Sequence, residues 1–128
     1  MEGPKRVALV EDDAGMSQAL VRILRLAGYA PTTFGSAEAL IRDGGGADAD
    51  CLVLDVQLPG MSGFELRDHL VLTGITAPVI FITAYDDAAA RSLAELANAA
   101  YLAKPFTGKT LIEAVARALA STVLKNGD

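Results

Sequence analysis

Short apolar runs recur along the chain, and most end abruptly in polar or charged residues. Val7–Val10 meets Glu11-Asp12-Asp13, Cys51–Leu54 meets Asp55, Pro78–Ile82 meets Thr83-Ala84, and Ala100–Ala103 meets Lys104-Pro105-Phe106. Runs this short are below typical helix length and read as strands buried on both faces. Tyr29–Phe34 predicts a further strand, which Pro31 assigns to a sheet edge because proline cannot donate to a ladder. Between these runs the apolar spacing changes to that of helices. Met16, Leu20, Ile23, Leu24 and Ala27 fall on one face of a first helix, with Gly28 as its terminating residue. Ser36 caps a short second helix through about Arg42. Ser62 followed by Glu65 is a capping box opening a third helix to about Leu72, closed by Thr73-Gly74. Asp86 and Asp87 can cap an alanine-rich fourth helix over Ala88–Ala97. Thr107 caps a fifth, whose apolar face is Leu111, Ile112, Val115 and Leu119. Gly44-Gly45-Gly46 forms a flexible loop, and residues 121–128 are expected to fray. Strand and helix alternate five times with no hairpin signal, which predicts an α/β fold with a parallel sheet covered on both faces.

Composition narrows the function classes. The 128 residues suit a single domain with a full core, and 52% hydrophobic content excludes a disordered linker. A net charge of −5 argues against a nucleic-acid surface, which needs a basic patch. The single cysteine, Cys51, lies in a predicted core strand and has no internal disulfide partner, which fits a reduced cytoplasm. No apolar run approaches the roughly 20 residues of a membrane span, and no signal-peptide pattern follows the N-terminus.

The chemistry lies at the strand ends. In a parallel sheet all carboxyl ends lie on one side, where ligands of open α/β sheets bind. If the first strand lies between the second and third, Glu11, Asp12 and Asp55 become neighbours. Carboxylates about 6 Å apart repel by roughly 3 kcal/mol per pair at an effective dielectric of 20, so such a cluster calls for a cation. Oxygen donors with room for water favour Mg²⁺ or Mn²⁺ over zinc. Asp13 reads as the N-cap of the first helix. His69, the sole histidine, falls in the third helix away from the strand ends and reads as a surface residue; Met16 and Met61 read as packing.

Taken together, four motifs resemble the receiver domain of two-component response regulators. They are Val10-Glu11-Asp12, Asp55 with Leu58-Pro59-Gly60-Met61-Ser62-Gly63, Thr83-Ala84, and Tyr101-Leu102-Ala103-Lys104-Pro105-Phe106. Each is weak alone, but four in order at the ends of successive strands are specific. The resemblance covers residues 6 to about 120. It implies a flavodoxin-like three-layer (βα)5 fold with a five-stranded parallel sheet of order 2-1-3-4-5.

The resemblance implies roles residue by residue. Asp55 matches the phosphoacceptor aspartate. Asp12 matches the direct metal ligand, Glu11 a partner acting mostly through water, and the Gln57 backbone carbonyl a third protein ligand. Thr83 matches the switch hydroxyl, Tyr101 the switch aromatic, and Lys104 a lysine held by a cis bond to Pro105. The implied cofactor is Mg²⁺ or Mn²⁺, and the implied donor is a histidine kinase or histidine phosphotransfer protein. Gln57 and Tyr85 each stand two residues past a site residue, at positions that affect water access in the family. A bulky Tyr85 implies slow self-dephosphorylation. The chemistry fits independently: a positioned carboxylate can form an aspartyl phosphate, with a metal and an ammonium neutralising the phosphoryl oxygens.

Two alternatives compete with this signalling domain, which would catalyse only its own phosphorylation and dephosphorylation. A phosphohydrolase of the haloacid-dehalogenase type also uses a strand-end aspartate, but wants a second aspartate two residues on, where Gln57 stands. It also wants a cap-sized insertion that is not present. A degenerate receiver acting as a phosphate-independent interaction module is the other. The first-helix pattern and the phrases Ala27-Gly28-Tyr29 and Phe34-Gly35-Ser36-Ala37-Glu38 resemble receivers that often precede a helix-turn-helix domain. The face of the fourth helix, fifth strand and fifth helix, or that of the first and fifth helices, is the expected place for any phosphorylation-dependent homodimer.

Overall fold

A computed structural model describes residues 3–44, 46–84 and 88–126, with side chains through residue 121. The strands are β1 (Arg6–Val10), β2 (Ala30–Phe34), β3 (Cys51–Asp55), β4 (Val79–Thr83) and β5 (Ala100–Ala103). They alternate with α1 (Ala14–Leu26), α2 (Ala37–Arg42), α3 (Gly63–Leu72), α4 (Ala88–Leu96) and α5 (Gly108–Asn126). All strand pairs are parallel, in the order β2-β1-β3-β4-β5. This is the expected flavodoxin-like arrangement. Pro31 does lie on an edge strand, β2.

Strand alternation divides the core into two layers. Ala8, Val10, Leu52, Leu54 and Phe81 face one layer with Leu40, Leu66, Leu70 and Ala94 from α2, α3 and α4. Val7, Leu9, Cys51, Val53, Ile80 and Ile82 face the other, with Leu20 and Leu24 of α1 and Leu111 and Val115 of α5. Every residue of β3 is buried, as its unbroken apolar run requires. The Phe64 and Phe81 rings, 4.5 Å apart between centroids and tilted by 50°, seat α3 on β4.

The helix caps fall where their side chains can satisfy free N–H groups. Asp13 accepts from Met16 N at 3.0 Å, and Ser36 from Ala39 N at 3.1 Å. The capping box is complete: Glu65 N donates to Ser62 Oγ at 3.1 Å, and Ser62 N donates to Glu65 Oε1 at 2.9 Å.

Three readings need amendment. Ala27 is exposed and is the C-cap of α1, because the helix ends at Leu26 and the chain turns through Gly28 at φ +94°. Helix α5 continues through Ser121 to Asn126, so the backbone does not leave the helix at 121. His69 is half-buried in the last turn of α3, not simply a surface residue. The proposed caps Asp86 and Asp87, together with Tyr85 and Gly45, lie outside the described residues.

Candidate functional site at the carboxyl edge of the sheet

Sheet register brings the candidate residues together. Val10 pairs with Leu54, so Glu11 and Asp55 leave adjacent strands at the same level. Glu11 N donates to Phe34 O at 3.1 Å, continuing the β1–β2 ladder one residue further. Glu11 is thereby walled in between β2 and β3 and is only 3% exposed, whereas Asp12 emerges into solvent. Thr83 pairs with Ala103, and Lys104 N donates to Thr83 O at 2.7 Å, so Lys104 follows one residue beyond the level of Thr83. The Lys104–Pro105 peptide is cis.

The lysine bridges the acids. Lys104 Nζ lies 2.8 Å from Glu11 Oε1 and 3.1 Å from Asp55 Oδ2. The second oxygen of each carboxylate is also occupied. Asp55 Oδ1 accepts from Gln57 N at 3.0 Å, and Glu11 Oε2 accepts from Asp13 N at 3.2 Å. Burial pushes the Glu11 carboxyl above its ordinary pKa; the Lys104 bond opposes this without cancelling it, and nearby Asp55 adds to the rise. Burial alone would lower the Lys104 pKa, but its bonds to Glu11 and Asp55 outweigh that and hold it above the ordinary value.

Glu11, Asp12 and Asp55 each offer an oxygen within 4.8 Å of the others. Three hard anionic donors, one of them open to water, match the donor set of an octahedral oxygen-loving cation. Opposite them, Thr83 is fully buried, and its hydroxyl donates to Gln57 Oε1. Tyr101 is half-buried at the edge of the core, with the Arg91 guanidinium of α4 5.1 Å from its ring centroid.

Several contacts were not anticipated from sequence. The reading of Gln57 used its backbone carbonyl, but its side-chain amide holds the Thr83 hydroxyl. The direct bond between Glu11 and Lys104, at 2.8 Å, was likewise not anticipated. Glu38 of α2 accepts from Met61 N at 3.0 Å, tying a different element to the loop after Asp55. A glutamate on a short helix carries no signal for such a long-range bond. Gly63 is also critical: a Cβ there would stand 2.4 Å from the Asp55 carbonyl oxygen, so only glycine lets α3 start this close to β3.

A doubly wound parallel sheet with an acidic pocket and a lysine at its carboxyl edge places a candidate ligand site in the crevice where open α/β sheets bind their ligands. The profile of the response regulator receiver domain matches residues 7–116, and the chain belongs to that family. It is 37% identical over 113 residues to nodulation protein W of Bradyrhizobium diazoefficiens, covering 88% of this chain and 50% of that protein. It is 35% identical over 114 residues to the transcriptional regulatory protein FixJ of Azorhizobium caulinodans, covering 88% of this chain and 54% of that one. The chain thus spans about half the length of these curated relatives. In fold it is similar to a CheY-like receiver domain protein from Methanospirillum hungatei, with a TM-score of 0.88, 23% identity, and coverage of 96% of this chain and 99% of that one. The family is a signalling one whose members partner with histidine kinases. Among the described residues, no helix is long and apolar enough to cross a membrane.

Proposed function

We propose that this chain is a phosphoacceptor receiver in which Asp55 takes a phosphoryl group from a histidine kinase or histidine phosphotransfer protein. The observation that carries the reading is the buried Asp55 carboxylate bonded to the Lys104 ammonium beside the Glu11–Asp12 acidic pair. One Asp55 oxygen attacks the donor phosphorus; the new O–P bond forms as the donor's P–N bond breaks, and the electron pair leaves on the imidazole. Asp12, Asp55 and the Gln57 carbonyl would hold Mg²⁺ or Mn²⁺, with Glu11 contributing through water. The ion supplies positive charge to the phosphoryl oxygens of the in-line transition state. Lys104 supplies the second positive charge, on a stem already directed at Asp55.

The output follows from the same contacts. Thr83 releases the Gln57 amide and donates to a phosphoryl oxygen instead. That movement opens space for the Tyr101 ring and alters its packing beneath Arg91, so one modification changes the face of α4, β5 and α5. The domain catalyses only its own phosphorylation and dephosphorylation, and acts in the cytoplasm.

Incubation with acetyl phosphate and Mg²⁺, read by intact-mass spectrometry, tests the proposal. A phosphoryl adduct lost in Asp55→Asn supports it. The absence of an adduct on the parent chain replaces it with a phosphate-independent interaction module.

A further inference from the structure

The connection from β3 to α3 carries the Gln57 carbonyl and must hold its shape without secondary structure. Its ends are well fixed. Val56 N donates to Ile82 O at 2.8 Å, and Gly63 N to Val56 O at 3.2 Å. The middle, Pro59-Gly60-Met61, is different: proline has no N–H, Gly60 adopts φ +76°, and Met61 N needs a partner. That partner comes from α2. Glu38 Oε2 accepts from Met61 N at 3.0 Å across 23 positions. A Cβ at Gly60 would stand 2.7 Å from the same oxygen, so the carboxylate lies directly against the turn. Glu38 is anchored in turn: Ser36 caps its helix, and Ala37 and Leu40 on either side of it are fully buried in the layer that also holds Val56 and Leu58.

We propose that Glu38 is a positioning residue for the phosphoacceptor loop, its carboxylate fixing the Pro59–Met61 turn so that the loop's donors are preorganised for a divalent cation. This rests on the reading of Asp55 and its loop as a metal-assisted phosphoacceptor site. Glu38 touches neither the cation nor the phosphoryl group. It acts through the loop, reducing the ordering that must accompany ion binding. The Met61 N–H holds the Glu38 carboxyl below its ordinary pKa, as expected of a bond favouring the charged form.

Calorimetric titration of the full chain with Mg²⁺ tests the proposal, using parent, Glu38→Ala and Glu38→Gln. Roughly 0.15 M salt reduces the direct effect of a distant charge, since the Debye length is then about 8 Å. Glu38→Ala is expected to weaken Mg²⁺ binding about tenfold, the low end for partners that support metal ligands. Glu38→Gln keeps a neutral acceptor and falls between the two, because a charge-assisted bond is roughly twice as strong as a neutral one. In ion-free protein the Met61 amide exchanges its hydrogen faster in Glu38→Ala. An alanine variant with the parent's Kd overturns the proposal, even if its thermal stability has dropped. So does a glutamine variant as weak as alanine, which assigns the effect to charge alone. A parent chain that takes no Mg²⁺ removes the metal-assisted reading itself and this proposal with it, so the two failures are told apart by the parent titration.

Discussion

Replacing Lys104 with methionine keeps much of the stem and removes the ammonium from between two buried acids. The Glu11 and Asp55 side chains are 1% and 4% exposed, so water cannot take over the lysine's role without rearrangement. Their oxygens lie within 4.8 Å, and at an effective dielectric of about 20 that separation implies at least about 3.5 kcal/mol of repulsion. Removing one member of a buried charge network typically costs about 3–5 kcal/mol, in agreement. That is a large share of the roughly 5–15 kcal/mol that holds a domain of this size folded. The penalty has a definite pH dependence. Glu11 already has a raised pKa, and losing its lysine raises it further. A carboxyl raised in the folded state contributes stability that is fully present below its unfolded value of 4.5 and lost as pH climbs through its folded value. The variant's deficit is therefore smallest in acid and largest above neutrality. Urea unfolding followed by far-UV circular dichroism, at about pH 5 and about pH 8, measures both. Added Mg²⁺ should stabilise Lys104→Met more than the parent, because a bound cation replaces the missing charge. A variant as stable as the parent at the higher pH, or a deficit that grows on acidification, refutes the electrostatic account.

Gly63→Ala forces a methyl group toward the Asp55 carbonyl from 2.4 Å and toward the Val56 Cα from 3.1 Å. Both neighbours are backbone, so the start of α3 must shift, at a cost of about 1–3 kcal/mol; an unchanged urea midpoint would show that the helix has slack. Ser62→Ala breaks the capping box and should cost about 1 kcal/mol, measured the same way. A loss of only a few tenths would mean that water caps the helix equally well.

Most of the architecture is legible because each element states itself locally. Ser62 and Glu65 announce α3, the apolar run of β3 announces a strand covered on both sides, and the alternation of the two patterns implies parallel crossovers. The site is legible only as far as residues sit at strand ends. Asp13 is marked as the cap of α1 by the helix that follows it, but nothing local distinguishes Glu11 from Asp12. Register does so: the ladder to Phe34 extends β1 by one residue and buries Glu11, while Asp12 reaches solvent and Asp13 turns back to cap α1. The Gln57 amide and Glu38 were illegible for a related reason. Their partners, Thr83 and Met61, are 26 and 23 positions away, and a polar side chain on a loop or short helix gives no hint of a distant bond. The α5 extension and the exposed Ala27 show the limit at helix ends, where composition is a weaker guide than the turn that follows.

The contacts around the acids explain why the cluster tolerates its own charge. Glu11, Asp12 and Asp55 carry three negative charges against the single positive charge of Lys104, leaving a formal surplus of two when all are ionised. Burial is the main cause of the upward shift of Glu11, and the neighbouring Asp55 adds to it. Backbone N–H groups from Gln57 and Asp13 absorb part of it through hydrogen bonds, and exposure of Asp12 lets water absorb more. The formal deficit of two positive charges is lined by oxygen, beside a lysine already directed at Asp55. A doubly charged cation matches that deficit in both charge and donor preference, and a proton or a monovalent ion meets only half of it.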